Sequence, residues 1–184
     1  MKRIIFAQSL NLDTDVPINN LNRFPELLAR VTKQWQTQRP DLSVHEAALV
    51  GCLLGVAANL EDMGDVALKQ AGLSQREHDV LACLRRQGEP YQATPSLLLE
   101  EVRITSGALT LCCDRLIKRG LLTRTHAQED RRSRLLALTT DGKGLIDTIT
   151  TQRFQLAEQV MSGLSQNEQK QLKQLLLKVQ TQIT

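Results

Sequence analysis

Residues 129–134 read Glu-Asp-Arg-Arg-Ser-Arg, and three arginines within four positions suit the binding of a polyanion. The narrow, negative minor groove of DNA attracts an inserted arginine, so Arg131, Arg132 and Arg134 are candidates for that contact. Asp130 is placed to fix one neighbouring arginine and aim another. Upstream, Thr105 can cap a helix whose outward positions include Ser106, Gly107, Thr110 and Leu111, with Arg115 one turn further on. The hydroxyls of Ser106 and Thr110 can donate to phosphates or accept from base edges, Gly107 permits close backbone approach, and Leu111 can touch a thymine methyl. Free amides at such a helix start also favour a phosphate.

These side chains need a frame, and the hydrophobic pattern supplies one. Phe24, Leu27, Leu28, Val31 and Trp35 recur at helical spacing, and Pro40 ends that segment. Ser43 and Glu46 form a capping-box pair opening a long helix to about residue 70 that is apolar on more than one side, which in a chain this small points to a partner subunit. Ser74 and Glu77 repeat the capping-box pattern, Thr94-Pro95 marks another start, and Ile104 with Leu109 can staple the helix after Thr105. Leu109, Cys112, Cys113 and Leu116 form its inward stripe and Gly120 its left-handed stop. Residues 121–126 and 134–138 then predict a hairpin, followed by a helix from Thr139 to about Met161 and a last one capped by Ser165.

The predicted fold is therefore mainly α: a winged helix-turn-helix DNA-binding lobe, with N- and C-terminal helices forming a dimerisation region. Its expected divisions are an arm over 1–20, dimerisation or ligand-region helices over 21–72, the DNA-binding lobe over 73–142 and dimerisation helices over 143–184. Charge agrees with this layout. Between Arg103 and Arg134, eight cations (Arg103, Arg115, Lys118, Arg119, Arg124, Arg131, Arg132, Arg134) face three anions (Asp114, Glu129, Asp130), on a chain of net charge only +3. A locally basic surface on a near-neutral chain fits a polyanion met at one place, and Arg124 belongs to that surface.

Several classes are set aside. The N-terminus carries no signal-peptide core, and no apolar run approaches the ~18 residues that span a bilayer, so the expectation is a cytoplasmic chain with no membrane partner. Cys52, Cys83, Cys112 and Cys113 are then expected as reduced thiols, and their spacing matches no zinc pattern. No nucleophilic triad, metalloprotease motif, phosphate loop or carboxylate pair occurs, and His45, His78 and His126 lie in unrelated contexts. An enzyme is not expected, nor is a cofactor.

The segments GLSQREHDVLACLRRQG, TPSLLLEEVRITSGALT, DRLIKRGLLTR and EDRRSRLLALTTDG resemble the successive signatures of the multiple-antibiotic-resistance regulator (MarR) family, from about Gly72 to Gly142. The resemblance implies a homodimer on a pseudo-palindromic site of double-stranded DNA, repressing until a small-molecule effector or an oxidant loosens it. It places Ser106, Gly107, Thr110 and Arg115 on the recognition helix and implies that Arg132, beside Asp130, enters the minor groove. Leu111 departs from the Arg or Asn common in the family, which leaves the target sequence open. The family's effector pocket implies Trp35, His45, Leu49, Cys52 and His78 as candidates, each of which could equally be core or helix-surface packing. Two alternatives accompany this reading. In one, Cys112 and Cys113, among Arg115, Lys118 and Arg119, have lowered pKa values and sense oxidants. In the other, the winged helix binds a protein instead of DNA.

Overall fold

The structure, a computed structural model, describes residues 24–126 and 134–183. The expected arm over 1–20 lies outside the described residues, as do Asp130, Arg131 and Arg132 and the side chain of Arg134. The chain falls into two compact units, Met1–Val66 and Ala67–Thr184.

The first unit contains helix α1 (Phe24–Gln38) and most of α2 (Val44–Gln70). Beyond α1, Arg39 and Asp41 form an exposed ion pair at 2.6 Å. The Ser43 hydroxyl donates to the Glu46 carboxylate at the start of α2. Phe24 packs its ring on Gly55 and Leu28 meets Gly51, so the two helices approach through the bare backbone of α2. The opposite sides of α2 keep Leu49, Val50, Leu53, Leu54, Val56 and Leu60 exposed. Sequence predicts no stretch apolar enough for a bilayer, but α2 holds an 18-residue window of mean hydropathy 1.3 that meets that standard by length and composition. Its charges gather at the ends, leaving 47–60 uncharged. A helix that covers its sides with a partner subunit has the same character.

The second unit begins within α2, because Leu68 and Leu73 already belong to its core. Helix α3 (Gln75–Arg86) opens on a complete Ser74–Glu77 capping box and buries Val80, Leu81, Cys83 and Leu84. Strand β1 (Gln92–Ala93) precedes α4 (Pro95–Val102), whose cap is Thr94 with proline at the first turn. Helix α5 (Ser106–Lys118) is capped by Thr105 and sends Leu109, Cys112, Cys113 and Leu116 inward, as its spacing predicts. The hairpin β2 (Leu122–His126) and β3 (Arg134–Leu138) pairs Leu122 with Leu138 and Arg124 with Leu136. β1 adds to the far side of β3, giving the order β1-β3-β2.

Helix α6 (Thr140–Met161) then returns across the core through Ile146 and Ile149. It is seated so closely that a Cβ at Gly142 would collide with the Leu121 carbonyl, which makes this glycine a steric requirement of the join between wing and helix. Helix α7 (Gln166–Gln180) opens on the Ser165–Glu168 capping box and buries no residue, leaving Leu175, Leu176, Leu177 and Val179 exposed. Each fully buried leucine contributes about 1.5–3 kcal/mol, so Leu81, Leu84, Leu98 and Leu116, none of them accessible, anchor the frame that holds α5.

Candidate nucleic-acid interface

Helix α5 has one face inside the protein and one in solvent. Its inward stripe is buried, whereas Thr105, Ser106, Gly107, Thr110, Leu111, Asp114 and Arg115 are exposed. The Thr105 hydroxyl accepts from the Ala108 amide at 3.3 Å, which fixes the start of the helix. The Thr110 hydroxyl donates its proton to the Ser106 carbonyl at 3.0 Å, leaving its oxygen to accept. A side chain at Gly107 would meet nothing within 4 Å, so internal packing does not require glycine there. Leu111 is 61% exposed, an apolar surface at the centre of an otherwise polar reading face.

Two of the cations counted in the basic segment are already engaged. Arg119 donates to the carbonyls of Gly72 at 2.7 Å and Ala71 at 2.8 Å, just past the C-terminal end of α2. Arg124 donates to Asp114 at 2.6 Å, joining β2 to α5. In the sequence, Asp114 counts only as an anion of the basic segment, and its pairing with Arg124 becomes visible in the fold. Arg115 and Lys118 have no hydrogen-bond or ion-pair partner among the described residues.

The lowering of thiol pKa that the oxidant-sensing alternative requires does not occur. Burial pushes Cys113 up to about 11, with Cys112 adding to the rise and Arg124 only partly opposing it. Burial also raises Cys112, aided by Glu77 and opposed by Arg115 and Arg76. On α3, burial and a hydrogen bond to Glu101 raise Cys83 to about 11. Desolvation outweighs the neighbouring charge, and all three stay protonated thiols near neutral pH.

The five effector candidates are divided between the two units. Trp35, His45, Leu49 and Cys52 belong to the first unit and His78 to the second. Of the five, only Cys52 lines the open apolar groove of about 820 Å³ in the first unit, together with Phe24, Leu28, Thr32, Lys33 and Val56. Trp35, His45 and Leu49 are exposed, and His78 is buried with its Nδ1 3.0 Å from Asp79. No group of His, Cys, Asp and Glu among the described residues could hold a metal ion.

A capped helix with a polar outer face, set behind two supporting helices and followed by an antiparallel hairpin, defines the winged helix-turn-helix class of DNA-binding proteins. Residues 73–133 match the MarR family. The chain is 34% identical over 150 residues to the HTH-type transcriptional regulator PecS of Dickeya dadantii, across 82% of this chain and 90% of PecS. It belongs to the MarR family of transcriptional regulators. Among solved structures, the apo form of MarR from E. coli aligns with a TM-score of 0.57 at 26% identity, over 70% of this chain and 93% of that one. BpsR of Bordetella bronchiseptica, whose DNA binding is regulated by 6-hydroxynicotinic acid, aligns with a TM-score of 0.53 at 26% identity, over 72% and 98%. PecS is itself a transcriptional regulator.

Proposed function

We propose that the chain is a ligand-responsive homodimeric repressor of a pseudo-palindromic operator. The observation that carries this reading is the solvent face of α5, where Ser106, Gly107, Thr110, Leu111 and Arg115 stand clear above a fully buried stripe. In this reading Ser106, Thr110 and Arg115 meet base edges and phosphates in the major groove, and Leu111 selects a thymine methyl. Arg132 enters the minor groove, aimed by Asp130, while Arg131 and Arg134 hold the flanking phosphates. Arg124 acts through Asp114, setting the hairpin against the recognition helix.

The exposed apolar sides of α2 and α7 support a twofold dimer, which sets two recognition helices about one DNA turn (~34 Å) apart. BpsR, regulated by a small acid, supports an effector. Such a ligand need only bind better to the dimer geometry that misplaces the two helices. The test begins with genomic DNA fragments selected by the full-length protein. On the selected operator, Arg132→Ala should lose ~1–3 kcal/mol and reduce the salt slope by about one. Absence of binding below ~0.1 M salt would instead favour a protein-interaction role.

A further inference from the structure

We propose that Arg103 is a phosphate-contacting residue of the DNA interface, presented by the turn between α4 and the recognition helix. Arg103 closes α4 in the left-handed conformation, φ 55° and ψ 46°, with its amide donating to the Leu99 carbonyl. That region suits glycine, and Asn or Asp can support it with a local hydrogen bond, but a long unbranched side chain gains nothing there. This chain follows the rule elsewhere. Left-handed glycines end three other helices: Gly72 after α2, Gly88 after α3 and Gly120 after α5. The exception falls at the turn that leads into the reading helix.

Among the described residues, the other left-handed non-glycine residue is Tyr91, at φ 57°. Its contacts account for its side chain, since the ring packs against the Arg85 guanidinium at 5.0 Å and the Lys143 ammonium at 5.5 Å. Arg103 has no such compensation. It is exposed, with no hydrogen-bond or ion-pair partner among the described residues. A strained backbone bearing an unengaged cation implies a use outside the folded chain.

The position identifies that use. Arg103 stands two residues before Thr105, the cap of a helix whose first turns carry the reading residues. In a helix-turn-helix the first helix crosses the DNA backbone while the second enters the groove, so the turn between them faces phosphates. A guanidinium there binds the phosphate backbone without reading a base, alongside the free amides of the helix start.

This inference rests on α5 being the recognition helix, and the experiment separates the two claims. Full-length wild type, Arg103→Gly and Arg103→Lys are titrated against the selected operator and a random duplex over a range of salt, and each is unfolded in urea. Arg103→Gly should unfold at higher urea, because it removes the strained side chain. It should bind both duplexes about eightfold more weakly at 0.1 M salt, the factor that a slope of ~0.9 per phosphate gives relative to 1 M, with a slope shallower by about one. Arg103→Lys should keep the wild-type slope. Unchanged affinity and slope for Arg103→Gly would overturn the proposal, as would a loss for Arg103→Lys equal to that for Arg103→Gly, or a glycine variant less stable than wild type. A wild type that binds neither duplex at low salt would overturn the recognition-helix reading along with it.

Discussion

Leu111 and the Cys112-Cys113 pair occupy adjacent positions on one helix but opposite environments. Leu111 is 61% exposed, and the two thiols are buried. Helical geometry makes the division, since a step of about 100° per residue carries Cys112 and Cys113 under the helix. Buried thiols with raised pKa react slowly, because the thiolate is the nucleophile. On incubation with iodoacetamide at neutral pH, Cys52, the one exposed cysteine, should be alkylated first. Cys83, Cys112 and Cys113 should follow only on unfolding, as read by peptide mass spectrometry. Modification of Cys112 or Cys113 at the rate of Cys52 would restore the oxidant-sensing reading. The Asp114–Arg124 bridge is worth only ~0.2–1 kcal/mol as a surface pair, so its importance lies in orientation.

At the scale of elements, the helices were legible because their starts are chemically marked. Ser74 with Glu77, Thr94 before Pro95, Thr105, Thr139, and Ser165 with Glu168 all cap the helices that their patterns predict. The hairpin was legible from its short apolar runs, and the stripe Leu109, Cys112, Cys113 and Leu116 from its period. Strand β1 was not, because two residues carry no pattern of their own and become a strand only by pairing Gln92 and Ala93 with Ala137 and Leu136. The engagement of Arg119 with carbonyls 47 and 48 residues away was hidden for the same reason, since a cation in a sequence does not name its partner. Burial also reversed the thiol chemistry that neighbouring charges alone suggested. Of the effector candidates, sequence names residue types, and Cys52 is the one that lines the groove of the first unit.

At the scale of the whole molecule, the second unit buries a continuous core, whereas no residue of α1 is buried. Leu49, Val50, Leu53, Leu54, Val56 and Leu60 together leave α2 with more apolar surface than an isolated chain in water favours. Leu54, 66% exposed, offers a direct test of the proposed dimer. A twofold interface contains every substitution twice, and burying a leucine contributes about 1.5–3 kcal/mol. Leu54→Glu should therefore weaken self-association by about 100-fold or more, seen by sedimentation equilibrium as a shift from dimer to monomer at micromolar concentration. A wild type that sediments as a monomer would remove the dimer from the mechanism.

The helix caps also determine how the molecule meets acid. Every cap on α3 to α7 is a hydroxyl, from Ser74, Thr94, Thr105, Thr139 or Ser165, and hydroxyls do not titrate. Of the titratable groups, Glu168 completes the cap of α7, where Ser165 holds it below the usual carboxylate range, and two others tie elements together. Arg85 and then Lys143 hold Asp147 below the usual carboxylate range, and the Cys83 thiol and Arg86 do the same for Glu101. A depressed carboxylate stabilises the fold above its unfolded pKa, and that contribution disappears as pH falls through the lower folded value. Acidification below about pH 4 should thus loosen the packing of α3 against α6 and α4 before it unwinds the helices. The thermal midpoint should fall while far-ultraviolet circular dichroism persists, and simultaneous loss of both signals would contradict this order. Proton concentration therefore acts chiefly on the joints of this regulator, while the hydroxyl caps keep the helix ends.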